Sequence, residues 1–321
     1  MEDLMSATAI SMMRQTMDQQ AEALTAILAD AAPVTAVAER LRGRQVLAIG
    51  TGTSWHAASQ AAALLRAAGL EASAAQSADA AVDGPLPAAG GVLLALTHTG
   101  AKHYTAQAVA RARAQGADVV QISGTGVTGA DLTTVERERS SAYTASHLGA
   151  LMRAAQLARA LGADLPGLGE VPSAVDRAYR DGQEGRQLAP PPERLIEFIG
   201  GGINQWTAAE GALKVREAAN LFTEGLALEQ LFHGPAFALG PRDALVCLDG
   251  GGPGTARLNE VAGAIETRGT RVYRFAAPEL GEPLSVFPLT VTVQRIALAF
   301  AVQLGTDPDD VSPEEWKTIG L

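Results

Sequence analysis

The chain reads as an α/β protein made of two successive parts, and three observations carry that reading. Short apolar runs of strand length repeatedly end in small or hydroxyl residues and glycine, then pass into Ala- and Leu-rich helical segments. The pattern occurs at Gln45–Ile49 before Gly50-Thr51-Gly52-Thr53-Ser54, at Gly91–Leu96 before Thr97-His98-Thr99-Gly100-Ala101-Lys102, and at Leu195–Ile199 before Gly200-Gly201-Gly202. Between the second and third, Gly162–Pro172 and Pro190–Pro192 interrupt the rhythm and mark a boundary. A strand, a tight turn and a helix make half a βαβ unit, and open parallel sheets bind ligands beyond the carboxyl ends of their strands.

In chain order, residues 4–31 carry Ala, Leu, Ile and Met at helical spacing until Pro33 interrupts. The first part then has strands at Gln45–Ile49, Gly91–Leu96 and Ala117–Ser123, and a long helix ending near Leu161. A polar helix containing Gln183-Glu184-Gly185-Arg186 precedes the proline run. The second part is expected to place strands at Leu195–Ile199, Ala244–Leu248, Arg271–Phe275 and Leu289–Val293, with helices over the segment that follows Gly202, around Leu258–Glu266, and over Arg295–Leu304.

At 321 residues with 47% hydrophobic and 19% charged positions, the composition is that of a globular chain long enough for two domains. The net charge of −10 argues against nucleic acid or an anionic membrane as partner, because both reward clustered Lys and Arg. The single cysteine, Cys247, sits in an apolar strand-like run and reads as a buried thiol. Glu2 and Asp3 stand where a secretory signal would be basic, and no run reaches the roughly 18 apolar residues of a membrane span. The expected location is the cytoplasm.

The stretch with most chemistry is Glu210–Pro235. On a helix Glu210, Lys214 and Glu217 stand at i, i+4 and i+7 and share one face. Such a stripe is ordinarily a solvated, salt-bridged surface. Beside His233-Gly234-Pro235, however, it is also a carboxylate, an amine and an imidazole, the set that moves protons near neutral pH. The Gly50–Ser54 turn offers an anion corner: glycines admit the backbone to a ligand while hydroxyls and free N–H groups supply donors. Lys102 can pair with a phosphate or with another anion such as a carboxylate. His98 and His103 lack the carboxylates a metal site would bring.

GALKVREAANLFTEGLALEQLFHGP, residues 211–235, resembles the isomerase half of glucosamine-6-phosphate synthases, members of the sugar isomerase (SIS) domain family, with Lys, Glu and His at the family's spacing. Gly50–Ser54 resembles the family's CGTS turn, and Thr97, Thr99 and Gly100 match its Ser-x-Ser-Gly-x-Thr loop, Lys102 replacing the last hydroxyl. Ala142-Tyr143-Thr144 match a further family segment in which Ser141 replaces a lysine. The tail from Gly305 through Lys317 resembles the family's ending.

The resemblance implies two flavodoxin-like SIS subdomains with parallel sheets: an N-terminal helical segment (1–33), a first domain (34–165), a helical linker (166–193), a second domain (194–304) and an active-site tail (305–321). It implies Glu217 carrying a proton between C1 and C2, His233 opening the sugar ring from the neighbouring subunit of a homodimer, and Lys214 and Lys317 stabilising oxyanion charge. The phosphate falls to Gly50, Thr51, Gly52, Thr53, Ser54, Thr97, His98, Thr99, Gly100 and Lys102. Neither a metal nor an organic cofactor is required, and the partner is a small sugar phosphate. The implied activity is aldose–ketose isomerisation or deamination of a sugar phosphate, without a glutaminase half; the alternatives are deglycation of fructosyl-amine phosphates and non-catalytic sensing of a sugar phosphate.

Overall fold

The computed structural model describes residues 11–100, 102–182 and 187–310. The chain divides into two compact units, the first made of Ala21–Arg137 and Ala145–Pro172, the second of Met1–Gln20, Glu138–Thr144 and Ser173–Leu321.

The first unit opens with the end of α1 (Met12–Ala29) and with α2 (Ala32–Leu41). Pro33, expected to end a helix, instead occupies the first turn of α2, where its missing N–H has no helical partner to lose. Residues 4–10 of the expected helix lie outside the described residues. Then follow β1 (Val46–Gly50), α3 (Thr53–Ala67), β2 (Ala72–Gln76), α4 (Ser77–Val82), β3 (Val92–Thr97), α5 (His103–Ala114), β4 (Asp118–Ser123), β5 (Leu132–Thr133) and α6 (Ala145–Ala160). The five strands form one parallel sheet in the order β2-β1-β3-β4-β5, with Val46 opposite both Ala72 and Val92. That is the flavodoxin-like winding, reversing at β1/β3. Every residue of β1 and β3 is buried, as strands covered on both faces must be, which is why they read as unbroken apolar runs.

The second unit continues with α7 (Val171–Asp181), β6 (Ile196–Gly200), α8 (Asn204–Ala219), β7 (Thr223–Ala227), β8 (Ala244–Asp249), α9 (Thr255–Glu266), β9 (Arg271–Ala276) and α10 (Glu282–Leu304). Its parallel sheet runs β7-β6-β8-β9, the same winding with one strand fewer. Met13 and Met17 of α1 and Ala142 join Phe198, Val215, Val246, Val293 and Phe300 in its core. The Asp309 carboxylate accepts the N–H groups of Met12 at 2.6 Å and Met13 at 2.8 Å, so a residue near the end of the described chain caps α1 at its start. The Gln183–Arg186 segment lies outside the described residues.

Two expectations are corrected here. The strand expected at Leu289–Val293 and the helix expected at Arg295–Leu304 are one helix, α10, which runs through Pro288. Its β-branched residues Val286, Val291 and Val293 are fully buried, and Gly211 of α8 brings the two helices close, since a Cβ there would lie 2.9 Å from Val293. A helix apolar on all sides belongs in a core, and it shows no period that separates it from a buried strand. Among the described residues α10 is also long and apolar enough to cross a membrane, contrary to the sequence reading, but 78% of its apolar window is buried inside the unit. Second, the helix after Gly202 stops at Asn220, a left-handed cap with φ 55°, and Thr223–Ala227 forms β7.

Glu197 of β6 is 1% exposed and lies in register with Glu224 of β7. Burial, the Glu224 charge and Asp243 push its carboxyl up to about 7 from 4.5 against the opposing pull of Arg216. Between these values the unfolded chain ionises this group while the folded one keeps it neutral, so its contribution falls as pH rises from 4.5 to about 7 and is level above. The shift corresponds to about 3 kcal/mol. Urea midpoints of wild type and Glu197→Gln measured from pH 5 to 8 should therefore diverge, the variant gaining up to that amount at the alkaline end; parallel curves would show that Glu197 titrates normally.

Candidate active site

Both units use the same backbone device where their first strand meets its helix. At Gly50 and Gly200 a Cβ would overlap the carbonyl of the residue four positions on, Ser54 and Asn204, and Gly52 and Gly202 take φ values of 57° and 53°. Only glycine fits such close approaches and such angles readily. The two turns differ in what lies above them. A Cβ on Gly52 would meet nothing within 4 Å, whereas one on Gly202 would strike the Glu282 carboxylate, which also packs on Gly252. The second unit's turn is thus covered by its own acid, and the first unit's is open.

From the second turn α8 carries Glu210, Lys214 and Glu217 on one face, and this face is not a solvated surface. Glu210 and Lys214 are fully buried, while the Glu217 side chain is 26% exposed. Lys214 Nζ donates to Glu217 Oε2 at 2.5 Å and lies 3.6 Å from Glu210 Oε1. Burial alone would push the ammonium down, but the Glu217 and Glu210 charges, with Glu138 behind them, hold it above its usual range. The two neighbouring carboxylates thus favour the charged form of Lys214, which suits electrostatic stabilisation. Glu217 is the member of the cluster that solvent reaches.

Glu138, which was not singled out in the sequence, belongs to the same unit. Its buried carboxylate accepts the Thr144 N–H at 2.9 Å and the Thr144 hydroxyl at 3.0 Å. The only signal was the alternation Glu136-Arg137-Glu138-Arg139, a pattern that reads as surface. His233 is exposed, just after a 3-10 turn at Glu229–Phe232, and makes no hydrogen bond or ion pair with Lys214 or Glu217. Cys247 is buried in β8 as expected, its thiol pushed up to about 12 by burial.

In the first unit Thr51 and Gly52 are exposed, and Thr53 and Ser54 are half-buried at the start of α3. Thr97 ends β3; it is 6% exposed, and its hydroxyl has no hydrogen-bond partner among the described residues. His98, Thr99 and Gly100 line a cleft of about 430 Å³ together with Thr125, Thr128 and Arg137. Its two walls interlock: the Gly124 N–H donates to the His98 carbonyl at 3.0 Å, and a Cβ on Gly124 would lie 2.9 Å from the His98 ring. Lys102, at the start of α5, is exposed and does not line the cleft. Lys317 lies outside the described residues.

Two flavodoxin-wound units, one bearing a buried Lys–Glu cluster and the other an open glycine turn and a hydroxyl-lined cleft, define a protein with the architecture of the phosphosugar isomerases. The comparisons agree, although no protein-family model matches the sequence. The chain is 28% identical over 253 residues to the glutamine–fructose-6-phosphate aminotransferase of Thermococcus kodakarensis, covering 68% of this chain and 42% of that one. It thus spans about two fifths of the length of such relatives. Among solved structures it superimposes on the C-terminal domain of the glucosamine-fructose-6-phosphate aminotransferase of Francisella tularensis with a TM-score of 0.79 at 16% identity, over 93% of this chain and 97% of that one. For the glucosamine-6-phosphate deaminase of Thermotoga maritima the TM-score is 0.78 at 18% identity, over 94% and 97%. The resemblance to the SIS family holds in sequence and in fold.

Proposed function

We infer that the chain is an enzyme acting on a sugar phosphate, interconverting aldose and ketose forms or releasing ammonia from an amino sugar phosphate by proton transfer between C1 and C2. The observation that carries this reading is the Lys214–Glu217 pair: a carboxylate within solvent's reach held 2.5 Å from a buried ammonium. Glu217 takes the proton from one carbon and returns it to the next, while Lys214 stabilises the negative charge that develops on the way. The resemblance adds His233 as the ring-opening group, supplied by the second subunit of a homodimer. It assigns the phosphate to the first unit's turns at Gly50–Ser54 and Thr97–Lys102. The test is a panel of hexose and amino-sugar 6-phosphates given to the purified protein, with ammonia release and aldose–ketose conversion followed together. Turnover of at least one member is expected, and binding without any turnover would favour a sensor.

A further inference from the structure

The two units share a winding and a glycine turn, yet only the first leaves its turn open. In an open parallel sheet the ligand crevice lies beyond the carboxyl ends of the two strands where the winding reverses. In the second unit those strands are β6 and β8, and each runs into glycine: Gly200-Gly201-Gly202 after one, Gly250-Gly251-Gly252 after the other. Helix α8 starts from the first of these turns at Asn204 and α9 from the second at Thr255. The positive ends of both helices therefore face the crevice, a setting that ordinarily favours a bound anion.

The anion found there is the chain's own. The half-buried Glu282 spans the two turns with its carboxylate, one oxygen standing where a Cβ on Gly202 would be and the other where a Cβ on Gly252 would be. Glu282 opens α10, so the start of a third helix lies beside the same point. An acid in the first turn of a helix is commonplace and by itself reports only its own helix dipole. Two further observations set this one apart. Its place is fixed by a buried chain: Asn204 Nδ2 donates to Ser285 Oγ at 2.8 Å and Ser285 Oγ to the Glu282 carbonyl at 2.7 Å, with Gly250 packed on both side chains. No described Lys or Arg pairs with the carboxylate, which leaves the helix starts to stabilise its charge.

We propose that Glu282 is a built-in anion that closes the second unit's crevice, so that no anionic ligand enters between the ends of β6 and β8 while this side chain is in place. The contact goes beyond the sugar-phosphate reading above and does not depend on it, since it concerns the crevice that reading leaves unused.

The test is calorimetric titration of the full chain with inorganic phosphate, in wild type and in Glu282→Ala, Glu282→Gln, Glu282→Ala with Gly252→Ala, and Glu279→Ala. Circular dichroism of each variant establishes that it folds; should Glu282→Ala not fold, Glu282→Ser, which keeps a residue suited to a helix start, takes its place in the same comparison. Glu282→Ala should bind one phosphate per chain more than wild type, whatever number wild type binds. Glu282→Gln keeps the bulk of the side chain and should gain none. In the double variant the methyl at position 252 stands in the vacated place, where the three nearest heavy atoms all belonged to Glu282, and it should abolish the extra phosphate. Glu279→Ala removes an exposed acid three positions earlier, controls for the change in net charge, and should match wild type. In phosphate-free buffer Glu282→Ala should melt below wild type, and added phosphate should narrow the gap by returning an anion to the helix starts. A folded Glu282→Ala protein with the phosphate count of wild type, an extra phosphate that survives Gly252→Ala, or the same gain in Glu279→Ala would each overturn the proposal. An extra phosphate in Glu282→Ala would stand even if wild type turned over no sugar phosphate. Turnover by wild type with no gain in Glu282→Ala would refute the closed crevice and keep the reaction.

Discussion

Glu217→Gln should lower turnover by about 10²–10⁴-fold while substrate affinity stays close to wild type. The amide keeps the size of the side chain, and its carbonyl oxygen can still accept from Lys214 Nζ, now 2.5 Å from the carboxylate. What it loses is the capacity to take up a proton. Steady-state kcat and KM on whichever sugar phosphate proves active measure the two effects separately, and a variant with near-normal kcat would remove Glu217 from the mechanism. The same variant probes where His233 acts. If the imidazole serves a neighbouring subunit, inactive Glu217→Gln and inactive His233→Ala proteins should regain activity when their subunits exchange, because one hybrid site recovers both wild-type groups. Mixed subunits that exchange and remain inactive would place His233 in its own chain's site or outside catalysis.

Lys214→Ala is the replacement expected to destabilise most. Lys214 and Glu210 are fully buried and Glu138 is nearly so, with the one ammonium among the three acids of the cluster. Removing it leaves buried carboxylates without their counter-charge, a change that costs about 3–5 kcal/mol when one partner of a buried pair is deleted. Replacing Glu210 by Gln as well should recover part of the loss, since the two residues interact directly and their effects do not add. Urea midpoints of the two single variants and the double variant measure this. A Lys214→Ala protein within about 1 kcal/mol of wild type would mean that the acids are already neutral or reached by water.

The chemistry on α8 could be read from spacing alone, because i, i+4 and i+7 share a helical face whatever surrounds it. Its burial could not, since a stripe of three charges on a helix ordinarily faces water, whereas here Glu210 and Lys214 are fully buried with the Glu138 charge nearby. Strands β1, β3, β6 and β8 were visible as apolar runs. The edge strand β9 was read as well, but β2 and β7 were not: Ala72–Gln76 is almost all small residues, and Gly225 in β7 is there because a Cβ would overlap the α8 backbone at Ala208. The long helix α10 was misread because a segment buried on every side carries no period to tell helix from strand. Glu138 was missed because it acquires meaning only from a residue far along the chain, Lys214. The match of Thr97 and Thr99 to a family loop drew attention to the end of β3, where Thr99 lines the cleft and Lys102, exposed at the start of α5, does not.

The cap that Asp309 places on α1 means that residues 12–20 leave the ribosome long before the sheet they pack against exists. The core that Met13 and Met17 join is drawn from residues between Ala142 and Ala301, and the cap on Met12 comes from 297 residues further on. The entropy of closing so long a loop grows only with the logarithm of its length, so the finished fold loses little by it. The search for that contact is slow, because contacts between distant parts of a chain form late. The first unit, continuous apart from a seven-residue excursion at Glu138–Thr144, can organise while synthesis proceeds; the second, which holds the Lys214 cluster, is completed last. Cutting the chain at the proline run would therefore not release an intact second half, but a sheet with part of its core left behind on the other fragment.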